Sequence, residues 1–214
     1  MRPALVLALA GTMLAMPAFA ADTQTLTCEA PFNKNMTEAD LVAAFGKENV
    51  EYKSVPGAEG METNATVVFP NDPARRLTVH WWDEDKRARP AAVSVEADFG
   101  ADPDGMNPWK TEILWQTVEG LRIGSDLAAV EKANGKPFRL SGFGWDFGGF
   151  AISWDNGALD AAQRHDCNLT MRFLPSAESS PESVVGDVEL MSDMKDVIAA
   201  KPRVTELTIS YPGE

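Results

Sequence analysis

Thr37-Glu38-Ala39-Asp40-Leu41-Val42-Ala43-Ala44-Phe45-Gly46 and, later, Ser125-Asp126-Leu127-Ala128-Ala129-Val130-Glu131-Lys132-Ala133-Asn134-Gly135-Lys136-Pro137 share one design. Each opens on a hydroxyl residue able to cap a helix and carries acidic residues in its first turn. Apolar positions then recur at helical spacing, Leu41, Val42 and Phe45 in the first and Leu127 and Val130 in the second. Gly46 and Gly135 supply stops, and Pro137 prevents the second helix from resuming. The pattern predicts two short amphipathic helices, with Thr37 and Ser125 as their caps.

Similar material follows each helix. Ala65 to Phe69, Leu77 to Trp82 and Ala92 to Glu96 are rich in β-branched and aromatic residues, and turn clusters separate them. After the second helix come Phe138 to Phe147, Phe150 to Trp154 and Cys167 to Leu174, with glycine-rich turns at Gly148-Gly149 and Asp155-Asn156-Gly157. A further strand is expected over Val184 to Leu190, a helix capped by Ser192 through Ala200, and a last strand over Val204 to Tyr211. Helix, glycine and strands in the same order twice point to an α+β chain of two tandem units, each a short helix packed on an antiparallel sheet. The units are expected at 21–98 and 112–214, with a Pro/Gly-rich linker at 99–111.

Residues 1–20 read as a secretory signal. Arg2 provides the positive start, Ala4 to Met16 the apolar run, and Ala18-Phe19-Ala20 the small-x-small cleavage pattern. The run is too short for a helix spanning about 30 Å of hydrocarbon, and no later segment is long and apolar enough to cross a membrane. Without a lipobox cysteine at the cleavage site, a periplasmic or secreted protein is expected. In such an oxidising compartment Cys28 and Cys167, the only 2 cysteines, are expected to pair. The chain-entropy account of a loop this long gives roughly 5 kcal/mol of stabilisation.

The formal charge of -13 opposes contact with phosphate backbones, so nucleic acid is not an expected partner. It suits solubility and encounter with a basic protein.

The start Met36-Thr37, the glycine at 46, and Leu77-Thr78-Val79 followed by Trp82-Asp83-Glu84-Asp85 resemble the small outer-membrane lipoproteins of the β-barrel assembly machinery. The tandem arrangement is similar to that of the secreted β-lactamase inhibitory proteins. The resemblance covers Met36 to Glu96 and Leu121 to Leu174 and implies two helix-plus-sheet repeats whose combined concave sheet grips another protein. This chain departs from the pattern in lacking a lipobox and in not closing one disulfide within each repeat.

Enzyme signatures are sparse. No GxSxG elbow, HExxH pair or GxxxxGK[ST] loop occurs. Ser141 to Gly149 is glycine-rich, but a strand rather than a helix is expected behind it, against a phosphate loop. Asp83-Glu84-Asp85 reads as a solvated turn, and Asp146 and Asp155 flank a hairpin where a carboxylate pair could meet. Asp102 to Asn107 echoes a calcium loop but lacks the distal glutamate, since Ile113 falls there. His165-Asp166-Cys167 alternates across a strand, which spoils it as a ligand set. No cofactor or metal is expected.

Tryptophan carries the strongest functional signal. Trp81 and Trp82 must point to opposite faces of one strand, with alternation alone leaving open which of them faces out, and Trp145 and Trp154 fall in adjacent strands of the second unit. Trp82, Trp145 and Trp154 are therefore the candidate partner-binding residues on an open sheet face, since large aromatics anchor protein interfaces. The expected role is non-catalytic recognition of another envelope protein, as an inhibitor or assembly factor. The alternative is a small-ligand or carbohydrate binder using the same rings; an envelope hydrolase ranks behind both.

Overall fold

The structure is a computed structural model and describes residues 23–101, 108–160, 166–176 and 180–213. The signal segment, the Asp102–Asn107 motif and His165 lie outside the described residues. Among those described, no helix is long and apolar enough to cross a membrane. The architecture is α+β, with mostly antiparallel sheets and short helices.

Helix α1 (Glu38–Phe45) forms where the pattern predicts, with Thr37 as its N-cap and Gly46 ending it at φ 87°. The Asp40 carboxylate accepts hydrogen bonds from the Thr37 backbone N–H and hydroxyl, which fixes the first turn and holds its carboxyl below the usual range. Leu41 is fully buried, and Phe45 packs on the rings of Phe32, Phe69 and Trp115. A polar chain bolts this helix to the sheet: the buried Trp81 indole N–H donates to Thr66, whose hydroxyl donates to Glu38, which pairs with Arg87 at 2.9 Å. Four strands follow as an antiparallel meander, β2 (Val50–Pro56), β3 (Glu62–Val68), β4 (Leu77–Asp83) and β5 (Ala88–Glu96).

The second helix, α2 (Leu127–Asn134), is capped by Asp126 rather than Ser125. The Asp126 carboxylate accepts from the Ala129 N–H at 2.8 Å, and Ser125 instead accepts from the Arg122 N–H. The charged oxygen is the better partner for the positive end of a helix, and it stands one residue closer to the first turn. Gly135 closes the helix in the left-handed region at φ 79°. Beyond it come β7 (Arg139–Ser141), β8 (Ala151–Ser153), β9 (Asn168–Leu174), β10 (Glu189–Met191), α3 (Lys195–Ala199) and β11 (Arg203–Ser210). Ser192 does not cap α3, which starts after Met194; its buried hydroxyl accepts from the Phe138 N–H and donates to Glu131. Two short strands, β1 (Gln24–Leu26) and β6 (Trp115–Thr117), pair in parallel.

The principal sheet has six strands in the order β2-β3-β4-β5-β11-β9. Strand β11 lies between β5 of the first half and β9 of the second, antiparallel to both. A bridge between Phe150 and Arg172 then joins β9 to the three-stranded sheet β10-β7-β8. Val79, Trp81, Val93, Val95, Leu169, Met171, Phe173, Leu207 and Ile209 alternate onto one face and form a continuous core with Leu41, Val130 and Phe138.

Cys28 and Cys167 form a disulfide across 139 residues, tying the N-terminal segment to the start of β9. A closed loop of this length restricts the unfolded chain strongly. Replacing both cysteines with alanine is expected to lower the unfolding free energy by about 2–5 kcal/mol in a urea titration, and reduction of the wild-type protein should have the same effect.

Candidate functional site

The face of the principal sheet opposite the core carries small and polar residues. Thr78, Ser94, Thr208 and Thr170 stand in register across β4, β5, β11 and β9, placing a row of hydroxyls over the middle of the sheet. A second row runs His80, Ala92, Ser210, Asn168. Burial holds the His80 imidazole below its ordinary value against an opposing pull from Glu84, so the ring is neutral at pH 7. None of these side chains belongs to the apolar core.

A third row is charged. Glu96 of β5 and Glu206 of β11 face each other in register, and Glu206 is flanked by Arg172 of β9. Burial pushes the Glu96 carboxyl above the usual carboxylate range, partly countered by Arg172 and Arg76. Burial likewise raises Glu206, opposed by a hydrogen bond from the Thr208 hydroxyl and reinforced by the charge of Glu96. Glu96 is solvent-exposed and borders a depression in this face. Part of that depression is a pocket of about 410 Å³ bordered by Val55, Val67, Pro70, Arg76, His80 and Glu96.

The tryptophans divide. Trp82 alternates onto the open face, is 52% exposed, and donates its indole N–H to the Tyr211 carbonyl at 3.1 Å. Trp81 is the core partner of that pair. Trp145 is 38% exposed in the β7–β8 loop and stacks edge-on against Phe147, which is 49% exposed. Trp154 is a correction: it follows β8 and is buried, packing on Phe138 with ring centroids 5.0 Å apart and donating its N–H to the Leu169 carbonyl. With its ring in the core and its polar atom satisfied, it offers nothing to a partner. Nor are Trp145 and Trp154 cross-strand neighbours, since both lie outside the strands.

Arg172 connects the sheet face to the aromatic loop. Its guanidinium donates to the carbonyls of Gly148, Trp145 and Asp146 and lies over the Phe150 ring. The loop is held close as well as tied. A Cβ on Gly142 would meet the Gly186 carbonyl oxygen at 2.4 Å, and one on Gly149 would meet that of Phe173 at 2.1 Å. The glycines at 142–149 thus bring backbone against backbone and leave Trp145 and Phe147 projecting. Phe147, Glu96 and Glu206 are functional candidates that sequence reasoning missed; the readable signal was an acidic residue at an alternating position within apolar strands.

Carboxylate chemistry finds little support at Asp155. Despite a desolvation penalty, hydrogen bonds from Arg139 and Ser153 hold its carboxyl below the ordinary value, so it is an ionised partner of Arg139 rather than a poised acid. The 83–85 turn is fixed by Lys86, which donates to Asp83 from both backbone and ammonium.

No protein-family model matches this chain, and no curated protein or solved structure matches it either.

Two measurements follow from this geometry. Trp154→Ala is expected to lower unfolding free energy by about 3–5 kcal/mol, as for a buried aromatic, and Trp145→Ala by about 1 kcal/mol, the worth of one hydrogen bond. A carboxyl raised on folding binds its proton more tightly in the native state, so stability falls as pH climbs from its unfolded pKa, about 4.3, through the folded one. Glu206→Gln should therefore raise the melting temperature at pH 7, and the gain should vanish near pH 4.

Proposed function

We propose that this chain is an exported, non-catalytic binding protein that recognises another envelope protein through the open face of its principal sheet, acting as an inhibitor or an assembly factor. The observation that carries the reading is a partly accessible face spanning the central strands, lined with short hydroxyl side chains and flanked by Trp82 at one end and by Trp145 and Phe147 at the other. Short side chains leave room for a visiting surface, and partly exposed aromatics with satisfied N–H groups give rigid apolar contact at low entropic cost. The signal-like residues 1–20 and the Cys28–Cys167 disulfide support a periplasmic or secreted location.

One observation favours carbohydrate as a second reading. A pocket of about 320 Å³ sets the exposed Trp82 beside Lys34, Asn35 and Asp166, and an aromatic platform with polar neighbours suits a sugar.

Immobilised, disulfide-intact mature protein is expected to retain a defined partner from an envelope extract, and a folded Trp82→Ala, Trp145→Ala, Phe147→Ala variant is expected to lose it. Equal retention by both proteins would remove the face as the binding surface. Quenching of tryptophan fluorescence by soluble glycans, without any retained protein, would transfer the site to the Trp82 pocket.

A further inference from the structure

Resting on the reading of the open sheet face as a protein-binding surface, we infer that the partner enters it with a lysine or arginine side chain received between Glu96 and Glu206. These two carboxylates are in-register neighbours on β5 and β11, where like charges oppose pairing. Among the described residues, Glu96 has no hydrogen bond or ion pair, while Glu206 has only the hydroxyl of Thr208 two residues along its own strand. Arg172 and Arg76 act on Glu96 through space, and Arg172 on Glu206, but among the described residues neither makes an ion pair with these carboxylates. Arg172 is directed to the carbonyls of the 145–148 loop, Arg76 to the Pro70 carbonyl at 3.3 Å, and Lys53 to Glu51 at 3.2 Å. His80 on β4 is neutral, and Asp98 borders the same depression as Glu96.

The isolated chain therefore keeps two crowded carboxylates side by side on the outer face of the sheet. A cation placed between them meets both charges. Beside them, Val55, Pro56, Val67 and Pro70 line the pocket that also reaches Glu96, giving an aliphatic stem an apolar wall and its head group an acceptor. The acidity of the whole chain, at -13, favours approach of a basic partner.

A phage-displayed library of disulfide-closed heptapeptides panned on the mature protein tests this. Face-directed peptides are those lost on Thr208→Arg, which fills the centre of the face. They are expected to contain a lysine or arginine whose replacement by glutamine weakens binding at least tenfold, and the Glu96→Gln, Glu206→Gln variant should weaken the parent peptide to the same degree. Binding should also fall as the pH drops from 7 to 4.5. The peptide-side substitution reads the contact even if the double variant fails to fold. Face-directed peptides without a basic residue, or indifferent to both sets of substitutions, would overturn this inference and leave the sheet-face reading in place. Recovery of no peptide sensitive to Thr208→Arg would overturn both.

Discussion

The rest of the structure depends on the pairing of β11 with β5 and β9. Without it the first half is a four-strand meander with β5 as a bare edge, and the second half is a hairpin region with β9 exposed. Strand β11 fills both vacancies at once. Its inward residues, Val204, Leu207 and Ile209, join the core, and its outward residues, Glu206, Thr208 and Ser210, form the centre of the open face. One strand thus ties the two halves of the core together and provides the midline of the candidate site. The disulfide acts on the same junction by fastening the N-terminal segment to the start of β9.

The two faces of the principal sheet obey opposite rules. The inner one is filled by branched and aromatic side chains, and a polar chain from Trp81 to Arg87 locks α1 over it. The outer one is kept shallow by threonine, serine and alanine, which support strand pairing without projecting far. Such a surface costs little to leave in water. The charged row is the exception, because its carboxylates are already partly stripped of solvent in the folded chain.

Much of the fold was legible because local signals agreed with tertiary demands. Helix α1 runs over the residues its cap, first-turn acids and glycine imply, and β4, β9 and β11 follow their runs of β-branched and aromatic residues. Strand β2 was missed since Glu51, Lys53 and Ser54 interrupt its apolar pattern, as befits an edge strand bonded only to β3. The parallel pairing of β1 and β6 escaped notice because three-residue strands carry almost no periodicity. At the site, alternation placed Trp81 and Trp82 on opposite faces without deciding which of them faces out. It failed for Trp154, which lies beyond the end of β8, where strand alternation no longer dictates direction. The Glu96–Glu206 contact had no local signature, since register between strands so distant in sequence is decided by the assembled sheet.

The central place of β11 also bears on the order in which the chain becomes safe from its neighbours. Synthesis from the N-terminus reaches Arg203–Ser210 after every other described strand. Until then β5 and β9 each present an unpaired row of N–H and C=O groups, beside apolar side chains that have no finished core to enter. A stalled or shortened polypeptide is therefore two adhesive edges rather than a smaller version of the protein, and it invites pairing with other chains. The same insertion that unites the finished molecule makes its incomplete forms the ones most in need of a chaperone.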